Sequence, residues 1–204
     1  MLDQAHLKLD MRFLRTFSTR LARCCLLIGL GVMAGLAGAT TQIGRSQLEL
    51  PKGFDGPHRS YPNKSTEVLV YVSDQAATPA ILQVAHVKLP AVPPEATKEV
   101  RFSATSNFLQ GFLRSFGANV DGFRVTEPEQ VLLGDQLAAR ASWHGGMKGA
   151  PAKGVMYLVV LGQGVYCFHA FGRADVANPQ LASAIDAVEV LRFHAHPKES
   201  EERN

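Results

Sequence analysis

Apolar and polar positions along the chain fall into two rhythms. TEVLVYVS (66–73) is β-branched and almost continuously apolar, as a strand buried on both faces is. In AILQVAHVKL (80–89), Ile81, Gln83, Ala85 and Val87 alternate with Leu82, Val84, His86 and Lys88, which predicts a second strand. Ahead of these, LELP (48–51) is a short strand candidate and KGFDGPHRSYPN a turn-rich stretch; TTQIGRSQ (40–47) is polar and expected as a flexible lead-in. PAVPP (90–94) then stops the strand pattern, and the period changes to three and four. Val100, Phe108, Leu109, Phe112, Leu113 and Phe116 define one apolar helix face, ended by Gly117 and Asn119.

Four strand-like segments follow: GFRVTEPEQVLLG, DQLAARASWHG, KGVMYLVVLG and GVYCFHAFG, joined by short glycine-bearing turns of which LGQG (161–164) is the tightest. A meander of antiparallel hairpins is the economical arrangement. Asn178 and Pro179 open a second helix as N-cap and first residue, with Leu181, Ala182, Ile185 and Val188 as its stripe. VLRF closes as a last short strand, and 194–204 is a charged tail. Strands and helices segregated in this way predict an α+β sandwich, an antiparallel sheet covered by two main helices.

The first 39 residues are of another kind. CCLLIGLGVMAGLAGA (24–39) carries no charge, follows Lys8, Arg12, Arg15, Arg20 and Arg23, and ends in Ala37-Gly38-Ala39. A basic region, an apolar run and a small-x-small ending make a secretory signal peptide, with cleavage after Ala39 and Met11 as an alternative start. An uncleaved anchor is the rival, although this run is shorter than the roughly 20 residues a membrane-crossing helix needs. Lipidation is disfavoured, because Arg23 precedes Cys24 and Cys24 precedes Cys25. The location implied is periplasmic or extracytoplasmic.

That leader changes the charge balance. Five of the 21 basic and two of the 18 acidic residues belong to it, so 16 of each remain and the net charge of the rest is zero. A neutral domain has no basic stripe for nucleic-acid phosphates. Of the three cysteines only Cys167 remains outside the leader, so stability must come from the core. The remaining 165 residues suffice, since a domain of that size buries roughly 70% of its unfolded surface.

With the opening LELPKGF, these elements carry Leu133-Gly134-Asp135, Ala138-Ala139-Arg140, Val165-Tyr166 and the closing Leu191-Arg192-Phe193. In these positions the chain resembles the PsbP-like superfamily, and within it the DcrB-like domains of bacterial envelope proteins. The resemblance covers about residues 48–193 as one domain. Members of that superfamily include photosystem accessory subunits, envelope proteins and chaperones that cover membrane segments of secreted effectors. It implies an α/β/α sandwich and a non-enzymatic binding or assembly role in the envelope, with an envelope protein as partner. No catalytic residue carries over, because the matching positions are hydrophobic and turn positions.

Candidate chemistry is sparse. In ASWHGGMKGAPAKG (141–154), Lys148 and Lys153 precede glycines with no Ser or Thr after them, and the glycines miss the dinucleotide spacing. Both phosphate motifs also need a following helix, whereas MYLVVLG reads as a strand. The stretch therefore reads as a mobile loop between strands, with Trp143 packed at its first end and His144 on the opposite side. Cys167 and His169, two apart on a strand, share a face with α-carbons about 6.6–6.8 Å apart. They keep open an alternative as a cysteine-dependent enzyme or redox protein, against an ordinary buried thiol among apolar neighbours. A small-molecule carrier with a cavity between helix and sheet is a further alternative. His194 and His196, joined by His58 or His86, are a weak metal pattern, and no metal or other cofactor is expected. Phe108, Phe112 and Phe116 recur every four residues, with Phe102 beside them, and either cover the sheet or receive an apolar partner segment. Candidate partner contacts are thus Trp143, His144, Lys148, Phe108, Phe112 and Phe116. A membrane partner enters only if the leader stays uncleaved.

Overall fold

The computed structural model describes residues 40–75, 78–89, 98–162 and 164–194. The expected leader (1–39), the PAVPP stop and the tail from 195 on lie outside these. Five strands come first: β1 (Thr40–Ile43), β2 (Ser46–Glu49), β3 (Phe54–Asn63), β4 (Thr66–Ser73) and β5 (Ala80–Lys88). Helix α1 (Lys98–Gly117) precedes β6 (Asp121–Val125), β7 (Glu129–Leu133), β8 (Gln136–Met147), β9 (Ala150–Leu161) and β10 (Gly164–Arg173). Helix α2 (Pro179–Glu189) and β11 (Arg192–Phe193) close the fold.

An eight-stranded antiparallel sheet runs β3-β4-β5-β10-β9-β8-β6, with β7 also on β8, and a small sheet runs β1-β2-β11. The long-range closure is β10 on β5, which pairs Cys167 with Ala85 and His169 with Gln83. Both faces of the large sheet are covered. Val68, Val70, Ala85, Ala139, Ala141, Met156 and Leu158 pack with Leu109 and Leu113 of α1. Leu69, Tyr71, Leu82, Val84, Tyr157 and Phe168 pack with Leu181, Ala184 and Val188 of α2, and with Ile43 and Leu48 of the small sheet. Coverage on both sides is why β4 is apolar nearly throughout.

Several local expectations are corrected. Residues 40–47 are not a flexible lead-in: they form β1 and enter β2, because Thr41, Ile43, Ser46 and Leu48 alternate inward across the Gly44 turn. KGFDGPHRSYPN contains β3, an edge strand whose Pro57, Pro62 and two register shifts read as turn signals in sequence. GFRVTEPEQVLLG is two strands, split at Thr126-Glu127-Pro128. Val100 lies off the buried face of α1, which runs through Thr105, Leu109, Leu113 and Phe116. Ala182 is likewise exposed, and Leu181, Ala184, Ala187 and Val188 are the buried positions of α2. Asn178 caps that helix as expected, its side chain accepting from the Leu181 N–H.

The largest correction concerns 141–154, which is strand rather than mobile loop. Trp143 pairs with Gly154, His144 with Lys153 and Met147 with Ala150, leaving only Lys148 and Gly149 as the turn. Their φ values of 51° and 79° define the left-handed two-residue turn that matches the twist of a hairpin. Gly154 serves a different purpose. A methyl group there would come within 2.6 Å of Phe171 Cβ and 2.7 Å of both the Ala170 carbonyl oxygen and Trp143 Nε1.

These two positions should respond oppositely to substitution. Gly154→Ala should cost about 2–3 kcal/mol in denaturant unfolding, because backbone as well as side chains must move. Lys148→Asn should stabilise by about 0.5–1 kcal/mol, since asparagine accepts the left-handed conformation that lysine resists.

Candidate functional site

On the α1 side of the sheet, β8 contributes Ala139 and Ala141 and then Trp143. The two alanines let the helix approach closely, and the indole fills the space at its C-terminal end. Across the sheet on β10, the same face carries Cys167, His169 and Phe171. Trp143 Nε1–H donates to His169 Nε2 at 2.9 Å, so the imidazole proton must reside on Nδ1. Phe116 meets the imidazole edge-on at 4.6 Å and 88°, and Phe171 stacks on it at 4.6 Å and 27°. Phe123 of β6 completes the cluster against Trp143 and Phe116, lying over Gly117 where a side chain would collide with it.

The pair suggested by sequence is therefore side by side but sealed. His169 is 2% exposed and Cys167 4%. Burial alone pulls the His169 pKa down to about 3. Its Nε2 lone pair is committed to the indole and its Nδ1 carries the proton, so neither nitrogen is poised to take a proton from the Cys167 thiol near neutral pH.

The six candidate contact residues divide between two faces. Trp143 and Phe116 meet at 4.8 Å inside the core, with Phe108 and Phe112 partly buried against the same cluster. His144 points to the opposite face and is exposed, and Lys148 stands exposed at the turn. The other histidines do not converge: His58 lies on edge strand β3, and His194 follows β11, where its main chain exchanges hydrogen bonds with Arg45. His86 stacks on Tyr166 at 4.6 Å, and burial lowers its pKa. No group of three or more His, Cys, Asp and Glu suited to a metal occurs among the described residues. His196 lies outside them.

One polar cluster escapes the sequence reading. Buried Tyr157 donates to Glu189 of α2 at 2.6 Å and accepts from Arg140 Nε at 3.3 Å, and Arg140 also pairs with Glu129. Burial, and then the bond to Glu189, raise the Tyr157 pKa. The cluster fastens α2 to the sheet. Its only sequence signal is the register that sets Arg140 opposite both Glu129 and Tyr157.

No protein-family model matches the sequence, nor does any curated protein. Solved structures do. LpqN of Mycobacterium tuberculosis, involved in cell envelope biogenesis, is similar at TM-score 0.50 and 17% identity, over 77% of this chain and 86% of that one. The cyanobacterial PsbP (CyanoP) of Synechocystis sp. PCC 6803 is similar at 0.57 and 9%, over 82% and 99%. A Bacteroides thetaiotaomicron protein matches at 0.48 and 8%, over 79% of this chain and 50% of its own. The fold is PsbP-like.

Acid should expose the state of His169. The native imidazole stays neutral down to about pH 3 while the unfolded one charges near pH 6.5, so its contribution to stability is lost as pH falls through that window. The loss attributable to this side chain should reach about 2 kcal/mol at pH 5. In urea unfolding at pH 7 and pH 5, His169→Gln should lower stability at pH 7 and show a pH dependence shallower than wild type by that amount. An equal pH dependence in both proteins would contradict it.

Proposed function

We propose that this PsbP-like domain is a non-enzymatic binding or assembly module outside the cytoplasm, acting in the cell envelope on a protein partner and needing no cofactor. The observation that carries this reading is the burial of Cys167 and His169, the nucleophile–base pair that the sequence suggests. Cys167 and His169 are core residues, and the histidine is occupied by Trp143. What the same hairpin offers to solvent is His144 on the sheet face and Lys148 at the turn.

Three further features support it. The apolar run at 24–39 behind five basic residues has the form of an export leader. No helix among the described residues is long and apolar enough to cross a membrane. LpqN, which shares the fold, is involved in cell envelope biogenesis. Among the described residues, a cleft lined by Gln47, Glu49, Val190 and Arg192 holds 140 Å³, below the roughly 300–1,000 Å³ typical of small-molecule sites.

Site-specific photocrosslinking in the native host is the direct test. A photoreactive residue introduced singly over the exposed positions of both sheet faces and both helices should yield one discrete protein adduct, confined to neighbouring positions. Folded variants that give no protein adduct from any surface would overturn the binding reading.

A further inference from the structure

Cross-strand rows on the sheet face opposite α1 reveal a basic row with no acidic residue opposite any of its members. Glu129, Arg140 and Tyr157 stand in direct register across β7, β8 and β9, so the arginine has a carboxylate directly beside it. Four residues further along β8 the pattern fails. Arg124 pairs with His144 across β6 and β8, and His144 with Lys153 across β8 and β9. All three are exposed, and the row spans two strand spacings, about 9–10 Å.

The ion pairs found among the described residues are Arg59–Glu67, Arg140–Glu129 and Arg173–Asp175, and none includes a member of this row. No carboxylate stands opposite Arg124, His144 or Lys153 in this row, so none has the opposite-charge cross-strand partner that Arg140 has. The chain beyond residue 39 has equal numbers of acidic and basic residues, so a local basic row is not a by-product of overall charge. Helix α2 packs over β5 and β10 and leaves this corner to solvent.

We propose that the row Arg124–His144–Lys153 receives an extended acidic segment of the protein partner, an inference that rests on the binding-module reading above. In an extended chain, carboxylates two residues apart lie on one side at about 6.6–6.8 Å. That spacing lets one carboxylate reach Arg124 and the next reach Lys153, with His144 between them. Asp121, on the same face opposite Gly146, limits the favourable zone to a narrow line. A single chain can follow such a line, whereas an anionic bilayer would also meet the Asp121 carboxylate.

The probe is a blocked peptide of alternating glutamate and threonine, carrying a fluorophore and titrated into the full chain in a non-ionic detergent at low salt. It should bind, with affinity falling as salt rises, and a lysine–threonine peptide should not. The double variant Arg124→Glu, Lys153→Glu should weaken binding at least about tenfold. Absent binding of the acidic peptide, or binding indifferent to the double reversal, overturns this inference while leaving the photocrosslinking test to decide the broader reading. Sedimentation with phosphatidylglycerol vesicles but not phosphatidylcholine vesicles, abolished by the same reversal, would overturn it in favour of a membrane surface.

Discussion

The hydrogen bond from Trp143 to His169 organises one side of this protein. Its members come from strands that are not neighbours, β8 and β10, and Gly154 on the intervening β9 leaves the space the indole crosses. Phe116 closes over both rings and thereby fixes where α1 ends, while Phe123 fixes how the chain turns into β6. Removing either polar partner would leave a buried donor or acceptor unpaired, a cost of about 1–3 kcal/mol before any packing is lost. The bond also decides the chemistry. A histidine held neutral and occupied cannot activate the cysteine beside it, so the residues that look most reactive in the sequence serve the core.

On the other face polar groups have a different task. Tyr157 ties the sheet to Glu189 of α2, and Tyr166 accepts the Arg45 N–H and so fixes the turn of the β1–β2 hairpin. Tyr71 donates to Thr41 of the same hairpin. Three tyrosines whose rings are core and whose hydroxyls reach outward thus attach the small sheet and the second helix. The exposed basic row stands beyond this covered region.

Much of this was legible in the sequence because the responsible signals are local. Alternation in 80–89, the near-continuous apolar run of 66–73, the three-and-four spacing before Gly117 and the Asn178-Pro179 cap each determine an element through neighbouring residues. The PsbP-like resemblance drawn from turn and core positions agrees with the fold. What escaped depends on partners distant in sequence. Thr41 looks polar and Ile43 isolated until Tyr71 and β2 are beside them. Pro57 and Pro62 read as turn residues because an edge strand tolerates what a central one cannot. The glycines of 141–154 suggested mobility, whereas Gly154 is required by the indole and Gly149 by a two-residue turn. Their spacing puts Cys167 and His169 on one face, but spacing alone cannot reveal that the imidazole already has a donor from 26 residues upstream.

The reactive-looking side chains Cys167 and His169 are locked in the core. The rate at which a maleimide labels Cys167 in the native protein at neutral pH tests this most directly. Labelling should proceed only through opening of the α1 side of the sheet, slower by orders of magnitude than labelling of the urea-unfolded chain and accelerated when His169→Gln loosens that side. Labelling of the native thiol as fast as that of the unfolded chain would contradict it.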